Sequence, residues 1–440
     1  MQKHQIVSKE NLIPFILVTS LFFMWAMPNN LNDILIPQFM KSFELSRFEA
    51  GLVQSAFYLG YFLMALPAAL VMDKYNYKTG LIIGLLFFAL GAFTFWPAAI
   101  IGRFGLFLFA LFVIASGLAF LETGANSFIA VLGDPATAAQ RLNFSQAFNP
   151  LGAMAGAMIG NIFIFSGVEH SAAQVEALKS SGEYHAYLQG EIMRVIPPYM
   201  AIGVVILVLA FLIWKVKFPA ETETGAVRQK SATGGDQHGH FSIVFKYPHF
   251  LKGIVAQFFY VGAQVGTWSF LIQYVKDFMM KPEKEAGYYL VYALFAFGIG
   301  RFASTLIMRK VSPDKLMGIY SLLNIVLVAI SIAMPGIIGS WTLVMSSFFM
   351  SLMFPTIFAL GVKGLGPNTK IGGSMIIMAI IGGAIWTPLM GWVADETHSM
   401  AYAMIIPLIS YMYITYYSFV GSKPSGPLFE TGNESVVSSH

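Results

Sequence analysis

Of the 26 Lys and Arg and 22 Asp and Glu residues, only Asp33, Glu122 and Arg301 fall well inside long apolar runs. A charge near the centre of a bilayer costs about 2.5–3.5 kcal/mol on the lenient insertion scale, so it is expected to face a cavity or a partner. A carboxylate held out of water can load and unload a proton as its access to water changes. The competing reading is a carboxyl that stays protonated and ties helices together. Scarcity favours a functional, proton-coupling role for Asp33 and Glu122. Arg301, in Gly298-Ile299-Gly300-Arg301, reads instead as a structural charge that counters a carboxylate, bonds carbonyls or snorkels.

The neighbours of these residues are polar and regularly spaced. Trp25, Asn29 and Asp33 share one helical stripe, with Asn30 beside them and Asn32 in the same run. Pro28 is expected to kink or break this helix just before the cluster. Glu122 shares a face with Asn126; Asn143, Gln146 and Asn149 open the next apolar segment; Gln257, Tyr260, Gln264 and Trp268 follow one another at i, i+3, i+7 and i+11. Amides that both donate and accept, beside flat aromatic rings, suit a ligand with many hydroxyls and apolar C–H faces. That describes a sugar. The alternative for any single amide is a bond between helices.

The elements that must carry these residues are membrane spans. The chain of 440 residues is 57% hydrophobic and 11% charged, far below the ~25% charge of soluble domains. Apolar runs of about 20 residues recur, each long enough to cross a hydrocarbon core of about 30 Å. The short alternating segments of a barrel are missing. With no cysteine, disulfides and thiolate metal sites are excluded. No apolar run clusters His with carboxylates, which argues against a membrane-embedded transferase. Gly298 and Gly300 sit within a helix and carry no nucleotide fingerprint.

Twelve spans are expected, at 12–39, 48–72, 79–98, 103–132, 142–167, 195–217, 249–277, 286–309, 314–334, 339–365, 371–394 and 399–421. The first lacks a small-residue cleavage site and is expected to remain. Residues 168–194 form a polar excursion. Residues 218–248 read as a linker, whose Asp236, His238 and His240 suggest a solvated tether more than a metal site. The chain therefore divides into halves at 1–217 and 249–421, with a tail at 422–440. Placing the N-terminus inside puts 17 of the 26 Lys and Arg residues on the inner side, so both termini are expected in the cytoplasm. Leu70-Val71-Met72-Asp73-Lys74 and Leu306-Ile307-Met308-Arg309-Lys310 faintly echo each other, as parallel six-helix halves would. Gly152, Gly156 and Gly160 form a small-residue packing face.

The chain resembles the major facilitator superfamily, and within it the fucose permease branch. The likeness rests on Phe22-Phe23-Met24-Trp25-Ala26, Asn29-Asn30-Leu31-Asn32-Asp33-Ile34-Leu35-Ile36-Pro37-Gln38-Phe39 and Gly51-Leu52-Val53-Gln54-Ser55-Ala56-Phe57-Tyr58. It extends through Leu121-Glu122-Thr123, Tyr260-Val261-Gly262-Ala263-Gln264, Met353-Phe354-Pro355-Thr356-Ile357-Phe358 and Ile380-Ile381-Gly382-Gly383. The resemblance implies an all-α polytopic membrane protein of twelve helices in two pseudo-symmetric halves. It implies proton-coupled monosaccharide uptake by alternating access, L-fucose or a related hexose first, with glucose, galactose, N-acetylglucosamine or sodium coupling as alternatives. Asp33 would take the proton and Glu122 would bond the sugar. Gln146, Asn149, Gln257, Tyr260, Gln264 and Trp268 would wall the cavity, joined by Trp25, Asn29, Asn30, Asn32, Gln54 and Asn126. Met27-Pro28 departs from the small residues expected there, and Ala69 occupies a glycine position of the superfamily's span 2–3 signature. No cofactor beyond the coupling ion, no metal and no nucleic acid is expected. The implied setting is a bacterial-type inner membrane, with the protein working as a monomer.

Overall fold

The computed structural model describes residues 7–133, 137–219, 244–365 and 369–424, and the regular structure there is helical throughout. The linker residues Asp236, His238 and His240 lie outside the described residues. In the N-terminal half come α1 (Leu12–Phe43), α2 (Arg47–Lys74), α3 (Tyr77–Ile101), α4 (Phe104–Val131), α5 (Ala138–Gln146), α6 (Phe148–Ile159), α7 (Ala172–Ser181), α8 (Tyr184–Met193) and α9 (Ile196–Lys215). The C-terminal half holds α10 (Pro248–Met279), α11 (Glu283–Ile307), α12 (Pro313–Ala333), α13 (Ile337–Met350), α14 (Met353–Val362), α15 (Thr369–Met378), α16 (Gly382–Thr397), α17 (Met400–Ala403) and α18 (Ile405–Tyr416). Eleven helical segments are long and apolar enough to cross a membrane. The remaining expected span is α10, a 32-residue helix whose Gln257, Gln264 and Gln273 dilute its apolar character.

The helix is not broken at Pro28. α1 runs unbroken from Leu12 to Phe43 with Pro28 and Pro37 inside it. Each proline removes one backbone bond, but nearly every side chain from Met24 to Phe39 is buried, and that packing supports the helix through both positions. Interruptions fall instead in segments expected to be continuous. One separates α5 from α6 at Ala147, one separates α13 from α14 at Ser351 and Leu352, and a tight 3-10 turn at Ala379–Ile381 joins α15 to α16. The polar excursion is structured too: a capping box at Ser171 and Gln174 starts α7, and Gly182, at φ 78°, ends it.

Small residues let the helices meet at backbone distance. A Cβ on Gly152 would stand 2.1 Å from the Phe23 carbonyl oxygen and one on Gly156 2.3 Å from that of Met27, so the small-residue face of α6 lies directly on α1. The two halves touch through the first part of α2 and the last part of α16. There a Cβ on Gly51 would meet Pro388 Cα at 2.7 Å, and one on Gly391 the Arg47 carbonyl oxygen at 2.3 Å. Ser55 Oγ donates to the Ala384 carbonyl at 2.6 Å in the same crossing.

Ion pairs seal that end of the bundle. Lys41 reaches Glu191 at 2.8 Å and, across the halves, Glu283 at 3.0 Å; Lys276 pairs with Glu283 at 2.7 Å and Glu169 at 3.4 Å. Arg47 pairs with Asp277 at 2.8 Å. Asp395 accepts from the Arg47 and Phe48 backbone N–H groups at 3.2 and 2.9 Å, so a carboxylate of one half caps the first turn of a helix in the other. We call this the closed end; it holds the C-terminus of α1. Every cross-half hydrogen bond named here lies between it and the level of Asp33.

The Gly391 crossing makes a prediction. In a Gly391→Val variant the branched side chain cannot fit against the Arg47 backbone, so the halves part at the closed end. Spin labels on Glu44→Cys and Glu396→Cys, introduced into a chain with no cysteine of its own, should report a longer separation than in the same pair without the Val. An unchanged distance distribution would refute the crossing as the point of closure.

Candidate functional site

Asp33 sits ten residues before the end of α1, about 15 Å below it at 1.5 Å per residue, and is 3% exposed. Its Oδ1 accepts from Gln54 Nε2 of α2 at 2.8 Å and from Ser269 Oγ of α10 at 2.8 Å. Gln54 Nε2 also donates to Ser269 Oγ at 2.9 Å. The three side chains are buried and belong to both halves. No ion pair among the described residues includes Asp33. Its partners are a neutral amide and a hydroxyl, groups that both donate and accept. One turn further from the closed end, Tyr58 donates to Asn29 Oδ1 at 3.3 Å.

Glu122 behaves differently. It lies nine residues before the end of α4, roughly 14 Å in, surrounded by protein yet open to solvent-sized access. Tyr61 of α2 interacts with its side chain. On the next turn Asn126 donates to the Glu122 backbone carbonyl at 2.8 Å and accepts from Gln146 Nε2 at 3.1 Å. Gln146 is exposed and Asn149 half-buried.

The other candidates divide. Trp25 is buried against Phe22, ring centroids 4.3 Å apart. Asn30 donates to Ala26 on its own helix at 3.0 Å. Asn32 is fully buried with both amide atoms unpartnered. The α10 stripe turns toward its own half: Tyr260 donates to the Met350 carbonyl and Trp268 Nε1 to Ser347 Oγ, both at 3.0 Å. Gln257 is fully buried with neither amide atom bonded, and Gln264 is half-buried. Arg301 stacks over Phe297, 5.7 Å from the ring centroid, and Phe297 packs edge-on against Trp268 at 5.2 Å. Ser269 lies about 100° around α10 from Trp268, since neighbours on a helix are that far apart. No sequence pattern marks it: it is a single serine between Trp268 and Phe270. Tyr61 and the ion pairs of the closed end were missed for a related reason: they become partners only through the fold.

A profile of the Major Facilitator Superfamily matches residues 15–370. The L-fucose-proton symporter of Escherichia coli is 43% identical over 410 residues, 92% of each chain. A glucose/galactose transporter of Brucella abortus is 34% identical over 408 residues, 92% of this chain and 93% of that one. The crystal structure of the transporter FucP in the outward conformation superposes with a TM-score of 0.68 at 42% identity, covering 93% of this chain and 99% of the other.

Gln257 gives a test of what its buried amide is for. An unpaired buried polar group costs about 1–3 kcal/mol, whereas an apolar side chain of similar size costs nothing. Gln257→Leu should therefore melt, free of ligand, at or above the temperature of the unaltered protein. A lower melting temperature would mean the amide already has partners in the folded protein.

Proposed function

We infer the function from one premise: this chain belongs to the Major Facilitator Superfamily. It is a secondary active transporter and not an enzyme, and it couples movement of a sugar to movement of a proton. L-fucose is the first substrate to test, because the most similar of the relatives named above moves it with a proton. Glucose and galactose come second, on the 34% identical relatives. The observation that carries the reading is the setting of Asp33: a carboxylate in mid-span, bonded by ambivalent neutral groups and, among the described residues, paired with no cation. A lysine or arginine partner would hold it permanently charged. An amide and a hydroxyl can serve it with or without a proton.

Residues 1–217 and 249–421 act as two units rocking about this site, with 218–248 as tether and 422–440 as tail. The Lys and Arg bias sets both termini in the cytoplasm of a bacterial-type inner membrane. The closed end is then the outer one and the structure is inward-facing, with Glu122 looking toward the cytoplasm. In uptake, Asp33 takes a proton from outside, and the sugar binds among Glu122, Asn126, Gln146, Asn149, Asn29 and the amides of Gln257 and Gln264. Trp25, Asn30, Asn32, Tyr260 and Trp268 shape the wall behind them. The halves then close outward, and both cargoes leave inward. Arg301 is a structural charge. No cofactor takes part, the coupling ion is H+, and a single chain suffices.

Two substitutions test the assignment in proteoliposomes. Asp33→Asn should keep counterflow of labelled sugar and lose accumulation under an imposed pH gradient; full uphill uptake would sink the proton role. Glu122→Gln should alter the pH dependence of sugar affinity, and an unaltered profile would make Glu122 a helix contact only. A panel of labelled monosaccharides, with pH and sodium gradients imposed separately, identifies the sugar and the ion.

A further inference from the structure

Asp33 uses its two oxygens unequally. Gln54 Nε2 and Ser269 Oγ converge on Oδ1 at 2.8 Å each, and among the described residues nothing bonds Oδ2. Oδ1 can accept both bonds whether the group is a carboxylic acid or a carboxylate, so Oδ2 is the oxygen left to carry a proton. Of the two donors, Gln54 belongs to the same half as Asp33 and moves with it. Ser269 belongs to the other half, on α10, and its bond exists only while the halves are together at this level.

We propose that Ser269 is the positioning residue by which the C-terminal half draws the proton off Asp33 when the closed end shuts. The proposal rests on the proton-symport reading above. A hydrogen bond to an ionised acceptor is roughly twice as strong as one to a neutral acceptor. The Ser269–Asp33 bond therefore strengthens as the proton leaves Oδ2 for water on the open side. By linkage, closure of the halves and loss of the proton favour one another to the same degree. The proton passes from the Oδ2–H bond to a water molecule, the electron pair stays on the carboxylate, and Ser269 keeps its own proton throughout.

The charged and titratable surroundings leave this role to Ser269. The titratable group that interacts with Asp33 is Tyr58 of α2, which in turn interacts with Glu122 of α4 and Tyr260 of α10. To the Asp33 contact itself α10 brings the neutral Ser269. The sequence of α6 has no titratable side chain. Arg141 of α5 is bonded instead to the backbone carbonyls of Ile129 and Ala130 and to Thr137.

The test uses full-length protein in proteoliposomes with labelled L-fucose and a pH-sensitive dye inside. Ser269→Ala should leave counterflow, which needs no net proton release, close to the unaltered rate. Net uptake should become more sensitive to internal acid, with its inhibition midpoint moved by about 1 pH unit toward neutral, the size expected for one bond to a charged group. Ser269→Thr, which keeps the hydroxyl, should restore the midpoint. A uniform loss at every pH, or an unmoved midpoint, overturns the proposal. If the unaltered protein carries no proton inward with the sugar, the symport reading itself fails, and the two failures are distinguishable in one experiment.

Discussion

The structure depends on keeping a carboxylate in hydrocarbon without giving it a cation. Transfer of an isolated ionised group into an apolar medium is too costly to survive unless something compensates. For Asp33 the compensation is two short hydrogen bonds from neutral groups, on helices of different halves. Small residues keep the neighbouring segment close to α1: Gly152 and Gly156 meet the Phe23 and Met27 backbone, and Gly160 abuts Ile34, the residue after Asp33. The polar run around Asp33 thus survives because one face is sealed by small residues and the other by the partner half.

Charge is treated in the opposite way at the closed end. Lys41, Glu191, Glu283, Lys276 and Glu169 form a chain of ion pairs, and Arg47 stands between Asp277 and Asp395. Arg47, Asp277, Asp395, Lys276 and Glu169 are only partly covered, so pairs among them contribute little to stability. Glu191 and Glu283 are buried and would be left uncompensated without their lysines. What fixes the geometry there is backbone: Gly51 and Gly391 let α2 and α16 cross closely, and Asp395 caps α2 from the opposite half. Shape holds the closed end and charge orients it.

Composition and apolar periodicity carry the helical, many-span character of this chain, because a bilayer permits few other solutions. The rarity of charge inside spans isolates Asp33 and Glu122 for the same reason. Continuity of helices is less legible. Pro28 is a local signal for a kink, yet α1 continues through it amid buried neighbours, while Ala147 and Ser351 interrupt helices without any local mark. The α10 stripe shows another boundary: periodicity says that Gln257, Tyr260, Gln264 and Trp268 share a face but not which helix that face meets. Tyr260 and Trp268 bond toward α13 and its end. Ser269, on a different face, is the residue that reaches Asp33, and its type occurs throughout the chain.

The two carboxylates are placed for different tasks by their surroundings. Asp33 is almost wholly covered and is bonded at one oxygen across the boundary between halves, so its environment would change when the halves move. Glu122 is bonded within its own half, through Tyr61 and near Asn126 and Gln146, and is exposed. Its surroundings change when a ligand arrives. Under the proposed assignment, a proton held by the first would sense conformation and a hydroxyl met by the second would sense occupancy. Tyr58, which interacts with both carboxylates and bonds Asn29 between them, joins the two levels. Coupling then requires no direct contact between sugar and proton, only that both bias the same movement of the halves.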